Sequence, residues 1–250
     1  MKKITKKQMI FIVIAVLALI CVAAGIIWSR SNAQKNQFSL AINGEQISEE
    51  EYLQCMNLVQ YDTMVTLRSE NHDVSDQELW TTTYENGKTG YEYLAEQTVE
   101  KLKYMHAIYD IAKDKGYIED PTYEGMLHRM EQENQSRSEK IAKGEVVYGL
   151  KEYSTEMYQD YELSMIQEKY MYDESNKDME LTEDEIQEHY DSRDWIVGED
   201  ARKADLSEAR AAVIDELRRA RYEELTEEKT KVAEVDGDMD KISQFTLKQL

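Results

Sequence analysis

The sequence predicts a mainly α-helical protein, with an N-terminal transmembrane helix followed by a helical domain that holds at most a short β-hairpin. Three observations carry this reading. One proline and ten glycines interrupt 250 residues, so few positions break a helix. Runs of β-branched residues are scarce beyond position 37. The apolar residues there recur at three- and four-residue spacing, the period of one helix face.

The anchor comes first. Lys2, Lys3, Lys6 and Lys7 precede an uncharged run from Gln8 to Ser29, in which Met9 to Trp28 is almost wholly apolar. A helix of about twenty residues is about 30 Å long and matches the hydrocarbon core of a bilayer. The lysines place the N-terminus in the cytoplasm, so the main domain is expected outside a cell membrane that the chain crosses once. The expected organisation is a cytoplasmic tail (1–8), an anchor (9–28), a spacer (29–37) and a domain spanning 38–250. Trp28 suits the outer interface. Cleavage at Ser31-Asn32-Ala33 is the alternative, against which Arg30 stands. Lipidation at Cys21 would want a small residue where Ile20 lies.

Charge separates the two parts. Six of the thirty basic residues precede position 36 and all 51 acidic ones follow it, leaving 24 basic against 51 acidic and a formal charge of −27 outside. Such a field repels phosphate backbones and excludes nucleic acid as a partner class. Cys55 is the one cysteine beyond the anchor, so no disulfide closes within that part. A small buried apolar residue and a reactive thiol are both open readings for it.

Along the domain, Phe38 to Ile42 runs into Asn43-Gly44, a tight-turn signal. Ser48 with Glu51 reads as a capping box, opening a helix to about Ser69. A shorter helix is expected after Ser75, fading at Asn86-Gly87. Tyr91, Leu94, Thr98, Leu102, Met105, Tyr109 and Ala112 form one stripe over about six turns, ending at Gly116. Asp120-Pro121 reads as an N-cap followed by proline at the first helical position, with a polar helix to about Lys143. Tyr153 to Tyr172 is helical, with Met157, Tyr158, Tyr161, Met165 and Ile166 on its apolar side. Thr182 and Glu185 cap a short helix to about Tyr190, and residues 191–206 read as loop. A last long helix, Ser207 to about Thr230, is expected to bury Ala209, Val213, Leu217 and Ala220, before a tail that ends helically.

Catalytic signals are missing. His72, His106, His128 and His189 are dispersed without a second ligand at metal spacing, and there is no HExxH, GxSxG or glycine-rich phosphate loop. His106 and Asp110, one turn apart, read as a surface pair. Acid clusters such as Glu183-Asp184-Glu185 suit the first turn of a helix. No cofactor or metal is expected, and the chain reads as a non-enzyme.

The stretch Ala41-Ile42-Asn43-Gly44-Glu45-Gln46-Ile47-Ser48, continued by Glu50-Glu51-Tyr52, resembles the start of the chaperone domain of SurA/PrsA-type extracytoplasmic foldases. Tyr148-Gly149 through Tyr153 to Tyr158, and Leu181 to Ile186 with Tyr190, look like the segments before that family's parvulin domain. Leu206 to Lys231 with Val232-Ala233-Glu234-Val235 is similar to its returning helix and strand. The parvulin insert is missing, because only Asp191 to Asp205 separates the last two segments. The resemblance therefore implies the chaperone part without prolyl isomerase activity. It also implies that the N-terminal part, 38–190, is completed by the helix at 206–231.

The function expected on this resemblance is a membrane-anchored holdase that binds unfolded segments of exported polypeptides. The alternative is an envelope scaffold or adaptor docking one specific partner. Candidate client-binding residues are Tyr52, Met56, Tyr61 and Met64 on the first helix, and Met157, Tyr158, Tyr161 and Met165 later, since Tyr and Met give large, adaptable apolar contact. The same stripes fit a core as well as a groove.

Overall fold

A computed structural model describes residues 38–75, 78–197 and 201–250, so the anchor and spacer expected at 9–37 lie outside the described residues. In chain order the elements are β1 (Leu40–Ile42), β2 (Glu45–Gln46), α1 (Glu49–Glu70), α2 (Gly90–Asp114), α3 (Tyr123–Ala142) and α4 (Thr155–Tyr172). A 3-10 turn (Lys177–Met179) follows, then α5 (Glu183–Asp191), β3 (Ile196–Val197), β4 (Arg202–Lys203), α6 (Leu206–Val232), β5 (Val235–Gly237) and α7 (Met239–Gln249). The protein is mainly helical, and among the described residues no helix is long and apolar enough to cross a membrane.

Asn43 and Gly44 both take positive φ, the geometry a two-residue hairpin turn requires, and join β1 to β2. β5 then pairs antiparallel with β1, Leu40 opposite Gly237 and Ile42 opposite Val235, giving the strand order β2-β1-β5. The Asn43 side chain fixes that return: its Oδ1 accepts from Glu234 N at 3.0 Å, and its Nδ2 donates to Asp110 at 3.2 Å.

α2 is the central element and contributes buried side chains to three clusters. Leu94, Val99, Leu102 and Met105 meet β1, Tyr52, Cys55, Met56 and Ile242 of α7. Ile108, Tyr109 and Ala112 meet Tyr123, Met126, Tyr158 and Ile166 of α3 and α4. Ile111 meets Tyr170, Met171, Met179 and Tyr222 of α6. Full burial of each aliphatic side chain contributes about 1.5–3 kcal/mol. A separate cluster, Ile186, Trp195, Ala204, Ala209 and Val213, binds α5 and the β3–β4 hairpin to the start of α6.

Several expectations are corrected. The expected single hairpin becomes a three-stranded sheet, because β5 returns from the far end of the chain; the resemblance put the returning strand at 232–235, and it forms at Val235–Gly237, whose three exposed residues carry no alternation. The segment read as loop at 191–206 contains the β3–β4 hairpin, anchored by Trp195, whose indole donates to Tyr190 O at 3.1 Å. The described residues 78–89 form turns and a Thr83–Thr89 bridge where a helix was expected. These turns close on Gly90, where a Cβ would collide with the Leu79 carbonyl. α3 starts two residues later than Asp120-Pro121 suggests, because Asp120 accepts from Thr122 N and Thr122 caps the helix. On α6, Ala220 is exposed and Leu217 half-buried, while the burial moves on to Tyr222 and Thr226 as the helix turns from α5 towards α2. Cys55 is buried, its Sγ 3.5 Å from Thr98 O, and burial pushes its thiol upward.

Candidate docking surface

α4 carries apolar side chains on two faces. Ser154 starts the helix by accepting from Met157 N. Tyr158, Ile166, Tyr170 and Met171 then point into the core, while Met157, Tyr161, Met165 and Tyr172 are exposed. The inner face is fixed by polar pairs as well as by packing. Arg129 holds Glu162 with two bonds, Nε to Oε1 at 2.6 Å and Nη2 to Oε2 at 2.9 Å, and Tyr158 OH donates to the same carboxylate at 3.3 Å. Two-pronged contact of this kind adds direction as well as energy. Burial, then the charge of Glu162, raises the Tyr158 phenol well above its ordinary range. On α1, Gln54 donates to Gln159 at 3.0 Å and accepts from Tyr123 OH at 2.6 Å.

The loop before α4 extends the exposed face. Arg137 of α3 donates to the carbonyls of Tyr148 at 3.0 Å and Leu150 at 2.7 Å, and its guanidinium lies 4.7 Å from the Tyr153 ring centre. Asn134 closes a second clamp, accepting from Tyr153 N at 2.7 Å and donating to Tyr153 O at 3.0 Å. The loop so held presents Val146, Leu150 and Tyr148, the last 86% exposed. Tyr153 stacks on Tyr161, ring centres 5.2 Å apart, so the loop and the outer face of α4 form one surface. At the other end a cavity of about 330 Å3 lies between α4 and α6, lined by Ser164, Glu168, Tyr172, Asp215 and Arg219 among others. Tyr172 OH donates to Asp215 at 2.9 Å there.

The eight sequence-derived candidates therefore divide. Tyr52 and Met56 lie in the first core and Tyr158 in the second, so these three are packing residues: their helix faces are covered by α2. Tyr52 OH meets Thr246 Oγ1 at 2.6 Å, and burial pushes its phenol up to about 12. Tyr61 is exposed and Met64 half-buried on the outer side of α1, beside Leu79 and Trp80, around a cavity of about 340 Å3. Met157, Tyr161 and Met165 come together on α4. Sequence reading missed Tyr148, Leu150, Tyr153 and Tyr172 as members of that surface; the signal available was the apolar residues Val146, Val147, Tyr148 and Leu150 in the loop that follows the polar helix α3.

It also misplaced a buried titratable group. His106 is 4% exposed, with Nε2 2.8 Å from Glu51 Oε1 and Nδ1 3.7 Å from Glu45 Oε2. Ser48 does cap Glu51 N, but the Glu51 carboxylate turns inward to His106 instead of completing a capping box. The expected surface pair with Asp110 is thus corrected to a clasp joining β2, α1 and α2. Burial alone would lower the His106 pKa; the hydrogen bond and charge of Glu51, with Glu45 and Asp110, outweigh it and the net shift is upward. Among the described residues no group of three or more His, Cys, Asp or Glu side chains could hold a metal ion. The surface is suited to binding through apolar and aromatic contact.

No protein-family model matches the chain. A curated protein of Bifidobacterium longum subsp. longum, a chaperone for lacto-N-biosidase, is 33% identical over 166 residues, which cover 66% of this chain and 59% of that protein. The chain thus spans about three-fifths of the length of this relative. Among solved structures, the native GH136 lacto-N-biosidase from Eubacterium ramulus superposes with a TM-score of 0.45 at 18% identity, over 59% of this chain and 31% of that one.

Proposed function

We propose that this chain is an extracytoplasmic folding chaperone, held at the cell membrane by residues 9–28, whose client is a glycoside hydrolase of the lacto-N-biosidase kind. The observation that carries this is the 33% identity to a protein named as the chaperone of such an enzyme. The mechanism is binding without chemistry. A client segment settles on the loop at 146–150 and the outer face of α4, where Tyr148, Met157, Tyr161 and Met165 are already exposed in a clamped arrangement. Holding the loop backbone through Arg137 and Asn134 reduces the ordering cost of association.

The SurA/PrsA-like part of the reading is supported by the order of elements: hairpin, helices, returning helix, then a strand paired with the first. Prolyl isomerisation has no part in it, since a fifteen-residue span with a small hairpin stands where that family places its isomerase. A relative named for a single client favours a dedicated chaperone over a general holdase, which brings the reading close to the adaptor alternative.

The test is co-expression. A lacto-N-biosidase produced with this chain should give more soluble, active enzyme than without it, and unrelated exported enzymes should gain little. Equal yields of the lacto-N-biosidase with and without the chain would overturn the reading. Protection of unrelated unfolded proteins to the same degree would restore the general holdase.

A further inference from the structure

The outer side of α4 carries two parallel rows. Met157, Tyr161 and Met165, spaced four residues apart, form the apolar one. Glu156, Asp160, Ser164 and Glu168, also four apart, lie beside it and are all exposed. Ser164 and Glu168 of the second row line the cavity between α4 and α6, whose far wall adds Asp215. The neighbouring cations are occupied: Arg219 pairs with Asp215 at 3.1 Å, Lys169 lies 4.3 Å from the Tyr117 ring centre, and Arg218 covers Tyr172. Lys151 stands apart, in the loop.

From this juxtaposition we infer that the outer face of α4 receives an amphipathic helix of the client, about four turns long, bearing Lys or Arg alongside its apolar row. This deepens, and rests on, the proposed chaperone reading. A helix is the matching shape because rows at four-residue spacing interdigitate with those of a second helix. A strand would need an open sheet edge, which α4 does not offer. From Met157 to Tyr172 the face runs about 22 Å, the length of about four turns. Basic side chains beside the apolar row would reach Glu156, Asp160 and Glu168 and the mouth of the cavity. The formal charge of the part beyond position 35, 24 basic against 51 acidic residues or −27, steers such a helix inward from a distance.

Three synthetic peptides of this length test the inference on the full chain in detergent: one with Lys and Arg beside a Leu/Met row, one with Glu in those places, and one with the basic pattern broken by a central proline. Methyl signals of Met157 and Met165 report occupancy, with buried Met105 and Met126 as internal references. The basic helix should move the first pair and leave the second. The acidic peptide should bind at least about tenfold more weakly, as should the proline-broken one. Combining Glu156→Gln, Asp160→Asn and Glu168→Gln should weaken the basic peptide about tenfold, the scale of three exposed ion pairs, with the circular dichroism unchanged. Equal affinity for the basic and acidic peptides overturns the inference, and so does movement confined to other methyls. Equal binding of the proline-broken peptide overturns its helical part.

Failure here separates from failure of the chaperone reading. If the triple charge variant rescues the lacto-N-biosidase as well as the native chain does, the inference falls and the chaperone reading stands. If the basic helix binds α4 but the native chain gives the enzyme no help, the chaperone reading falls and the surface stands.

Discussion

The base of the molecule (β1, β2, β5, α1, α7 and the N-terminal half of α2) and its arm (α3, the loop at 146–150 and α4) are built from the same residue types used in opposite ways. In the base, Tyr52 and Met56 disappear between α1, α2 and α7, and the buried polar groups are paired: Tyr52 with Thr246, Glu51 with His106. In the arm, Tyr148, Tyr161 and Met165 stay in solvent, and the paired polar groups, Arg129–Glu162 and Arg137 with its carbonyls, lie behind them. The base spends its aromatic surface on stability. The arm uses polar clamps to hold aromatic surface outward.

The sharpest way to break that contrast is to remove volume on each side. Ile242→Ala, in a fully buried position of α7, should cost about 4 kcal/mol through lost transfer energy and the cavity left behind, read as a large fall in Tm. If it costs under about 1 kcal/mol, α7 is not part of the base core.

His106→Ala should cost about 3 kcal/mol, because Glu51 would remain buried without its partner. The clasp also sets a pH dependence. His106 is raised from its ordinary 6.5 and Glu45, chiefly by burial, from its ordinary 4.5. Both groups hold protons more tightly folded than unfolded, so their contribution is full at acid pH and drains as pH rises from about 4.5 to beyond 6.5. Denaturant unfolding should therefore give a falling stability between pH 5 and 8, and His106→Ala should flatten the slope. A native profile that rises across this window contradicts the clasp.

Smaller effects refine the comparison. Tyr52→Phe should lose about 1 kcal/mol, the share of one buried hydrogen bond, with the core otherwise filled. Arg137→Ala should change global stability by a similar amount or less, while hydrogen exchange at Tyr148 to Tyr153 accelerates markedly as the loop loses its clamp. Unchanged exchange there would mean that the loop does not depend on Arg137.

The helices were legible because their signals are local. Ser48, Thr182 and the spacing from Leu94 to Ala112 each act within a turn or two, and each helix formed where they pointed. What depended on distant partners was not. β5 has no pattern of its own, is expected only through the family resemblance and at 232–235, and becomes a strand through β1; Glu51 looks like half of a cap until His106 is placed beside it. The candidate docking surface was half legible. Met157, Tyr158, Tyr161, Met165 and Ile166 all read as one apolar side, but α4 is apolar on two faces, and only the placement of α2 and α3 decides that Tyr158 and Ile166 are inside.

The central claim is that the outward Tyr and Met of α4 serve binding and not stability. The direct measurement combines Met157→Ser, Tyr161→Ser and Met165→Ser in one chain and reads both its melting temperature and the yield of active lacto-N-biosidase co-expressed with it. The Tm should stay within a few degrees of the native chain, as expected for exposed positions, and most of the gain in enzyme yield should be lost. A large fall in Tm, or an undiminished yield at an unchanged Tm, would contradict that claim.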